Sequence, residues 1–237
     1  MILVGGFAGG TAQYVLWALG FALQSITPRL IHDAAGFEIA PAHFAERHGL
    51  VVLIALGESV VAVGYGAAGA RLDLQLAFVA ALALALSAAL WWAYFGVGDD
   101  ERVELALAEA PAATRAKLAV YGFHYWHGLI LLGVIAIAAA EKEVVAHPFD
   151  ALAMRQAILL GAGASVVLLG NVLFRRTLRI AQGRSRALAL PLSAATIPLG
   201  LVAAVIQLGA LVALLAAALA SERRALELSA GRTARAR

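Results

Sequence analysis

The sequence contains no cysteine, which excludes disulfides, thiolate metal sites and cysteine nucleophiles. It is also poor in charge. Asp, Glu, Lys and Arg make up 14% of its 237 residues, against 62% hydrophobic residues, where a soluble domain carries roughly 25% and 45–50%. No basic segment precedes the first apolar run, so no cleavable leader is expected and that run is read as a span. No strand pattern is present, hence no glycine loop placed to cradle phosphate, and no nucleophile triad is legible. What remains is a series of apolar runs of the roughly 20 residues needed to cross about 30 Å of hydrocarbon. The composition predicts an all-α, polytopic membrane protein. Residues 1–220 form one helical bundle, and the basic stretch 221–237 is expected to be a disordered cytoplasmic tail.

The runs fall at about 2–27, 49–69, 74–98, 118–140, 152–174, 187–199 and 201–220. Pro191, Pro198 and Gly200 mark breaks in the last pair, and Pro198 to Gly200 suits a tight hairpin. Charge argues for seven spans. With the N-terminus on the far side, all of the 18 Lys and Arg except Arg71, Lys142 and Arg155 fall on one side. The positive-inside rule makes that side the cytoplasm, with a cytoplasmic C-terminus. This reading absorbs the basic character that would otherwise point to nucleic acid, and no nucleic-acid partner is expected. An odd count with an external N-terminus, in a chain that begins almost directly in a span, is the pattern expected of a shortened form of something longer. The loop 99–117 reads as an interfacial amphipathic helix or a partner-binding one. The 175–186 segment, RRTLRIAQGRSR, sets topology or binds an anionic lipid or regulator.

One stretch concentrates chemistry: HFAERHGLVVLIALGES, residues 43–59. Pro41 suits the first turn of a helix, and a helix from there to about 69 would be about 42 Å long. It opens with His43, Glu46, Arg47 and His48, then places Glu58 about 14 Å beyond Gly49, near the bilayer midplane. His43, Arg47, Leu50, Ile54, Glu58, Val61 and Tyr65 fall within about an 80° arc. Gly57 and Gly64 flank it and would admit a neighbouring helix, so this face is expected to be the one turned into the bundle. An ionisable group at that depth is costly and marks a functional site by default. Glu58 would bind a proton or small cation, or else lock helices together as a buried hydrogen-bonded acid. The polar start is not a metalloprotease motif: His43 and His48 lie about 140° apart on a helix and cannot share a metal. His43 and Glu46 could supply two ligands, but an interfacial capping and ion-pair cluster fits better, with Arg47 neutralising a carboxylate elsewhere. No resident metal or cofactor is expected.

A second polar group opens the fourth span as YGFHYWHG. His124 and His127 lie one helical turn apart beside Tyr121 and Tyr125, a pattern that fits a proton relay or an aromatic belt with satisfied histidines. Trp91, Trp92 and Tyr94 read as interfacial anchors. Gln13, Gln24, Asn171, Ser193, Thr196 and Gln207 read as interhelical hydrogen-bond donors and acceptors. GFAGG at 6–10 reads as close helix packing.

The 43–59 stretch resembles the signature of the bacterial low temperature requirement A (LtrA) family, HxxERxGLxxIxxLGES, matched at His43, Glu46, Arg47, Gly49, Leu50, Leu56, Gly57, Glu58 and Ser59. WWAYF at 91–95, the Tyr121–His127 run with Gly133 after it, and His147-Pro148 are weaker echoes, and together they extend the likeness from about Tyr14 onward. The family's N-terminal motif with its Phe-Phe-Asp-Leu run is absent, which matches the shortened form inferred from topology. The resemblance implies a multi-pass protein of the bacterial inner membrane, from a family whose name records growth in the cold and defines no reaction.

Three functions follow as expectations. The first is transport of a proton, cation or small solute, with Glu58 as the ion site, His127 and His124 as relay partners and Arg47 as charge partner, beside His43 and Glu46. The second is a membrane-embedded enzyme acting on lipid or isoprenoid, with Glu58 and His127 as acid and base in a pocket sized for an acyl chain. The third is an envelope stress or cold-adaptation scaffold acting through the 175–186 loop. The bilayer is the expected partner, with a homo-oligomer or a missing N-terminal half completing the site.

Overall fold

The computed structural model describes residues 1–30, 39–96, 99–180 and 184–235, and every regular element among them is helical. Residues 181–183 of the basic segment and Arg237 of the tail lie outside the described residues.

The first span expected at 2–27 is two helices, α1 (Ile2–Ala8) and α2 (Gly10–Leu30). Gly9 and Gly10 take φ of 65° and 53°, which a residue with a Cβ rarely adopts. They fold α1 back onto α2, where Trp17 Nε1 donates to the Ile2 carbonyl at 3.0 Å. GFAGG therefore supplies a reversal rather than a packing face. α3 (Pro41–Gly66) begins at the expected proline. α4 (Leu74–Phe95) is capped by Asp73, whose carboxylate accepts from the Leu76 N–H at 2.8 Å.

The connection read as amphipathic is a pair of helices, α5 (Asp99–Ala108) and α6 (Ala112–Leu118). Arg115 donates to the carbonyls of Leu107, Ala108 and Ala110 and so closes the end of α5. A wider, i→i+5 bonded stretch (Ala119–Trp126) leads into α7 (His127–Ala146). α8 (Met154–Thr177) stops at Arg179, whose φ of 56° lets the Ile180 N–H return to the Arg175 carbonyl at 2.9 Å. α9 (Arg184–Ala195), α10 (Ile197–Gly200) and α11 (Ala204–Arg235) follow; the chain breaks on either side of the short α10 that holds Pro198 and Gly200, whereas Pro191, also expected to mark a break, lies inside α9. The tail expected to be disordered from 221 instead continues α11 as helix to Arg235.

Among the described residues, four helices are long and apolar enough to cross a membrane: α3, α4, α8 and the Ala204–Leu228 part of α11. α7 carries Glu141, Lys142 and Glu143 within its 20 residues, and α9 has only 12 residues. The helices α3, α7, α8, α9, α11 and α4 form a closed ring, each packed on the next. Its interior is apolar, with Leu86, Ile137, Leu160 and Leu208 fully buried.

Between apolar helices in lipid, close packing rather than water exclusion holds neighbours together, and the α7–α8 seam is built for it. A Cβ on Gly133 would lie 2.6 Å from Val167 Cγ2 and 2.7 Å from the Gly163 carbonyl oxygen. That carbonyl is main chain and cannot swing aside. Gly133→Val should therefore lower stability by about 1–3 kcal/mol. Gly57→Ala, whose new Cβ meets nothing within 4 Å, should be neutral or stabilising by about 0.5–1 kcal/mol. Thermal unfolding of both variants in micelles measures the contrast, and equal midpoints would refute this packing.

Candidate functional site

α3 turns Gly49, Val52, Leu56, Ser59, Val63 and Gly66 into the bundle. The stripe expected to face inward is the outer one: His43, Arg47, Leu50, Ile54, Glu58, Val61 and Tyr65 are all exposed. The cause is a rotation of one residue, since Ser59 lies 100° from Glu58 on the helix. His43 Nδ1 and Glu46 Oε2 stand 3.9 Å apart on the exposed surface, and Arg47 is exposed beside them. The structure thus keeps Glu58, Arg47, His43 and Glu46 on one helix but does not bring them to His127.

His127 is 2% exposed. Its Nδ1 lies 3.4 Å from the Tyr94 hydroxyl, its ring centroid is 5.4 Å from that of His48, and its Nε2 has no hydrogen-bond partner among the described residues. His48 Nδ1 lies 2.8 Å from the Phe44 carbonyl. A carbonyl only accepts, so Nδ1 carries a proton. Phe44, Phe123 and Phe174 close the pair off from one side. His124 is half-buried and stacks on Tyr125 instead. It was expected to share a face with His127, but the i→i+5 bonding of 119–126 widens the turn, so a three-residue spacing no longer returns to one face.

Further along the same α3–α7 seam is a carboxyl group that the sequence reading passed over. Glu141 and Ser59 are both 0% exposed and interact across the seam. They fall short of hydrogen-bond geometry, so both Glu141 oxygens and Ser59 Oγ are buried without a partner among the described residues. The nearby Lys142 places its Nζ 5.9 Å from the Tyr65 ring centre on the outer side. Beyond Glu141, the turn after α7 opens a recess of about 270 Å³ around Glu143, His147 and Asp150.

At the opposite end of the ring lies a buried ionic network. Arg186 Nε donates to Glu222 at 2.5 Å, and its Nη1 donates to Asn171 Oδ1 and the Ala93 carbonyl at 2.5 and 2.6 Å. Arg175 donates to Asp99 at 2.5 Å and approaches Glu222 at 3.8 Å. All five side chains are buried, and they join α5, α8, α9 and α11 to the end of α4.

A signal for each missed residue is present in the sequence. Ile130, Val134, Ile137, Glu141 and Val145 form one helical stripe, with Glu141 in an otherwise apolar row. Asn171 and Arg175 continue the buried row of Ala164, Val167 and Leu168 on α8. Reading Glu141 as just past the span and Arg175 as a loop charge hid both. Among the described residues no three His, Asp or Glu side chains converge as a metal site. The recess beside α5 and α6, about 770 Å³, contains neither Glu58 nor His127.

Residues 1–221 match the family model described as bacterial low temperature requirement A protein (LtrA). An uncharacterized protein of Rhizobium meliloti (strain 1021), RA0937, is 25% identical over 182 residues, covering 73% of this chain and 44% of the relative. The chain thus spans less than half the length of that curated relative. No solved structure matches it.

Proposed function

Because the chain belongs to the bacterial low temperature requirement A family and is built of apolar, membrane-type helices, we propose that it moves a proton or small monovalent cation along the α3–α7 seam. The observation that carries this reading is the Ser59–Glu141 pair, three buried oxygens with no hydrogen-bond partner among the described residues. An ionised carboxyl there without a counter-charge would cost several kcal/mol. Binding a proton or a cation removes that cost, and releasing it restores the starting state. His127, His48 and Tyr94 line the other end of the seam and offer an imidazole pair for proton exchange. The acidic recess around Glu143 and Asp150 would concentrate cations at the far mouth.

In this reading the protein crosses the inner membrane seven times. The α1–α2 pair, α3, α4, the 119–146 segment, α8, α9 with α10, and α11 are the passes, and the C-terminus is cytoplasmic. The convergence of the ends of α4 and α8, the start of α9 and the distal part of α11 on one ionic network supports that alternation. The His127 end and the ionic network then face the cytoplasm, and Glu141 lies toward the outside. Glu58, on the outer face of α3, becomes a contact to a second copy or to the additional chain that longer relatives carry.

The test is flux. The full chain reconstituted in proteoliposomes should dissipate an imposed pH or sodium gradient faster than protein-free vesicles. Folded protein that leaves both gradients at the control rate would sink the ion-transport reading.

A further inference from the structure

Above the buried ionic network, between the ends of α4 and α8 and the flank of α11, is a cleft of about 50 Å³. We propose that this cleft binds a phosphate-bearing anion, of the kind carried by an anionic phospholipid headgroup. The inference is independent of ion transport.

Four guanidinium groups line the cleft, those of Arg102, Arg175, Arg186 and Arg223, against the carboxylates of Asp99 and Glu222. Arg223 also donates to Glu227 at 3.0 Å. Counting Glu227, four positive charges meet three negative ones among the described side chains, an excess of one that a phosphodiester monoanion would match. The donors are present as well. Arg102 gives an N–H to Asp99 at 3.1 Å and Arg223 one to Glu227, while each guanidinium carries five. Both side chains stand at the mouth, 42% and 64% exposed, whereas Arg175 and Arg186 form the floor at 3%. Fork-shaped guanidinium groups match phosphate oxygens in pairs.

Position distinguishes this cleft from a merely basic surface. The apolar runs of α4, α8 and α11 end at Phe95, Phe174 and Ala220, where the chain turns polar or charged, so the cleft sits at the level where hydrocarbon meets headgroups. Trp92, Leu219 and Leu226 form its apolar wall, with Trp92 and Leu226 40% and 41% exposed. A phosphate seated among the arginines would lay its acyl chains along that wall, and the indole is the kind of ring that anchors at this depth. A free phosphate offers the same headgroup chemistry without the chains.

The measurement is quenching of Trp92 fluorescence in purified full-length chain, taken as the difference between wild type and Trp92→Phe. Mixed micelles carry phosphatidylglycerol or phosphatidylcholine with brominated acyl chains. Brominated phosphatidylglycerol should quench at a lower mole fraction than the choline lipid. Arg223→Gln, outside the buried network, should weaken that preference about fivefold, and Arg102→Gln should do the same. Relief of quenching by millimolar inorganic phosphate would also support the site and assign the phosphate group itself as the recognised element. Equal quenching by both lipids, unchanged in Arg223→Gln and unaffected by phosphate, would overturn the proposal.

Discussion

Glu141→Gln is expected to abolish ion flux in proteoliposomes while leaving the fold intact. The amide has nearly the shape of the acid and carries no charge in either state, so it neither binds a proton at neutral pH nor offers a carboxylate to a cation. Its burial at 0% exposure beside Ser59 is no more costly than that of the acid, and the unfolding midpoint should be unchanged or higher. Glu58→Gln is the matched control. It changes the neighbouring family-motif residue by the same chemistry on the exposed face of α3, and flux should stay within about twofold of wild type. The reverse outcome, flux lost in Glu58→Gln and retained in Glu141→Gln, would move the route to the outer face of α3 and require a covering partner there. Ser59→Ala, which removes one of the three buried oxygens, should lower flux without eliminating it.

The helices are legible because their signals are local. Pro41 opens α3, Asp73 caps α4, and the Pro198–Gly200 break separates α9 from α11 in the places where elementary turn and capping chemistry puts them. Facing is harder to read. α3 is apolar nearly all round, so no polar–apolar contrast marks its buried side, and a 100° error exchanges Glu58 for Ser59. Glu58, expected on the inward face, stands on the outer one. The histidine pair failed for a related reason: regular-helix spacing joins His124 to His127, and a wider helix separates them. The first span conceals a reversal because two adjacent glycines read equally well as packing or as a turn. The ionic network was least accessible. Asp99, Arg175, Arg186 and Glu222 are far apart in the chain, and each alone looks like a loop charge that sets topology. They become a network only when the ring of helices brings four segment ends together.

That network is where the largest loss of stability is expected. Arg186→Met should cost about 3–5 kcal/mol, because breaking a buried ion pair by removing one partner is strongly destabilising. Arg186 is 3% exposed and Glu222 7%. The substitution takes a donor from Glu222, from Asn171 Oδ1 and from the Ala93 carbonyl at once. Arg175 remains 3.8 Å from Glu222, too far to replace the 2.5 Å contact that Arg186 makes there. Adding Glu222→Leu to Arg186→Met should recover most of the loss, since two apolar side chains in a buried site are often as stable as the ion pair they replace. Arg223→Met, whose ion pair with Glu227 is 64% exposed on both sides, should change stability by less than about 1 kcal/mol. Denaturant unfolding of the four proteins in one micelle type measures all of these terms. If Arg186→Met and Arg223→Met lose the same small amount, the charges are solvated and the end of the bundle is open. If the double variant is worse than Arg186→Met alone, Glu222 has a stabilising partner other than Arg186, and Arg175 is the group in position to provide it.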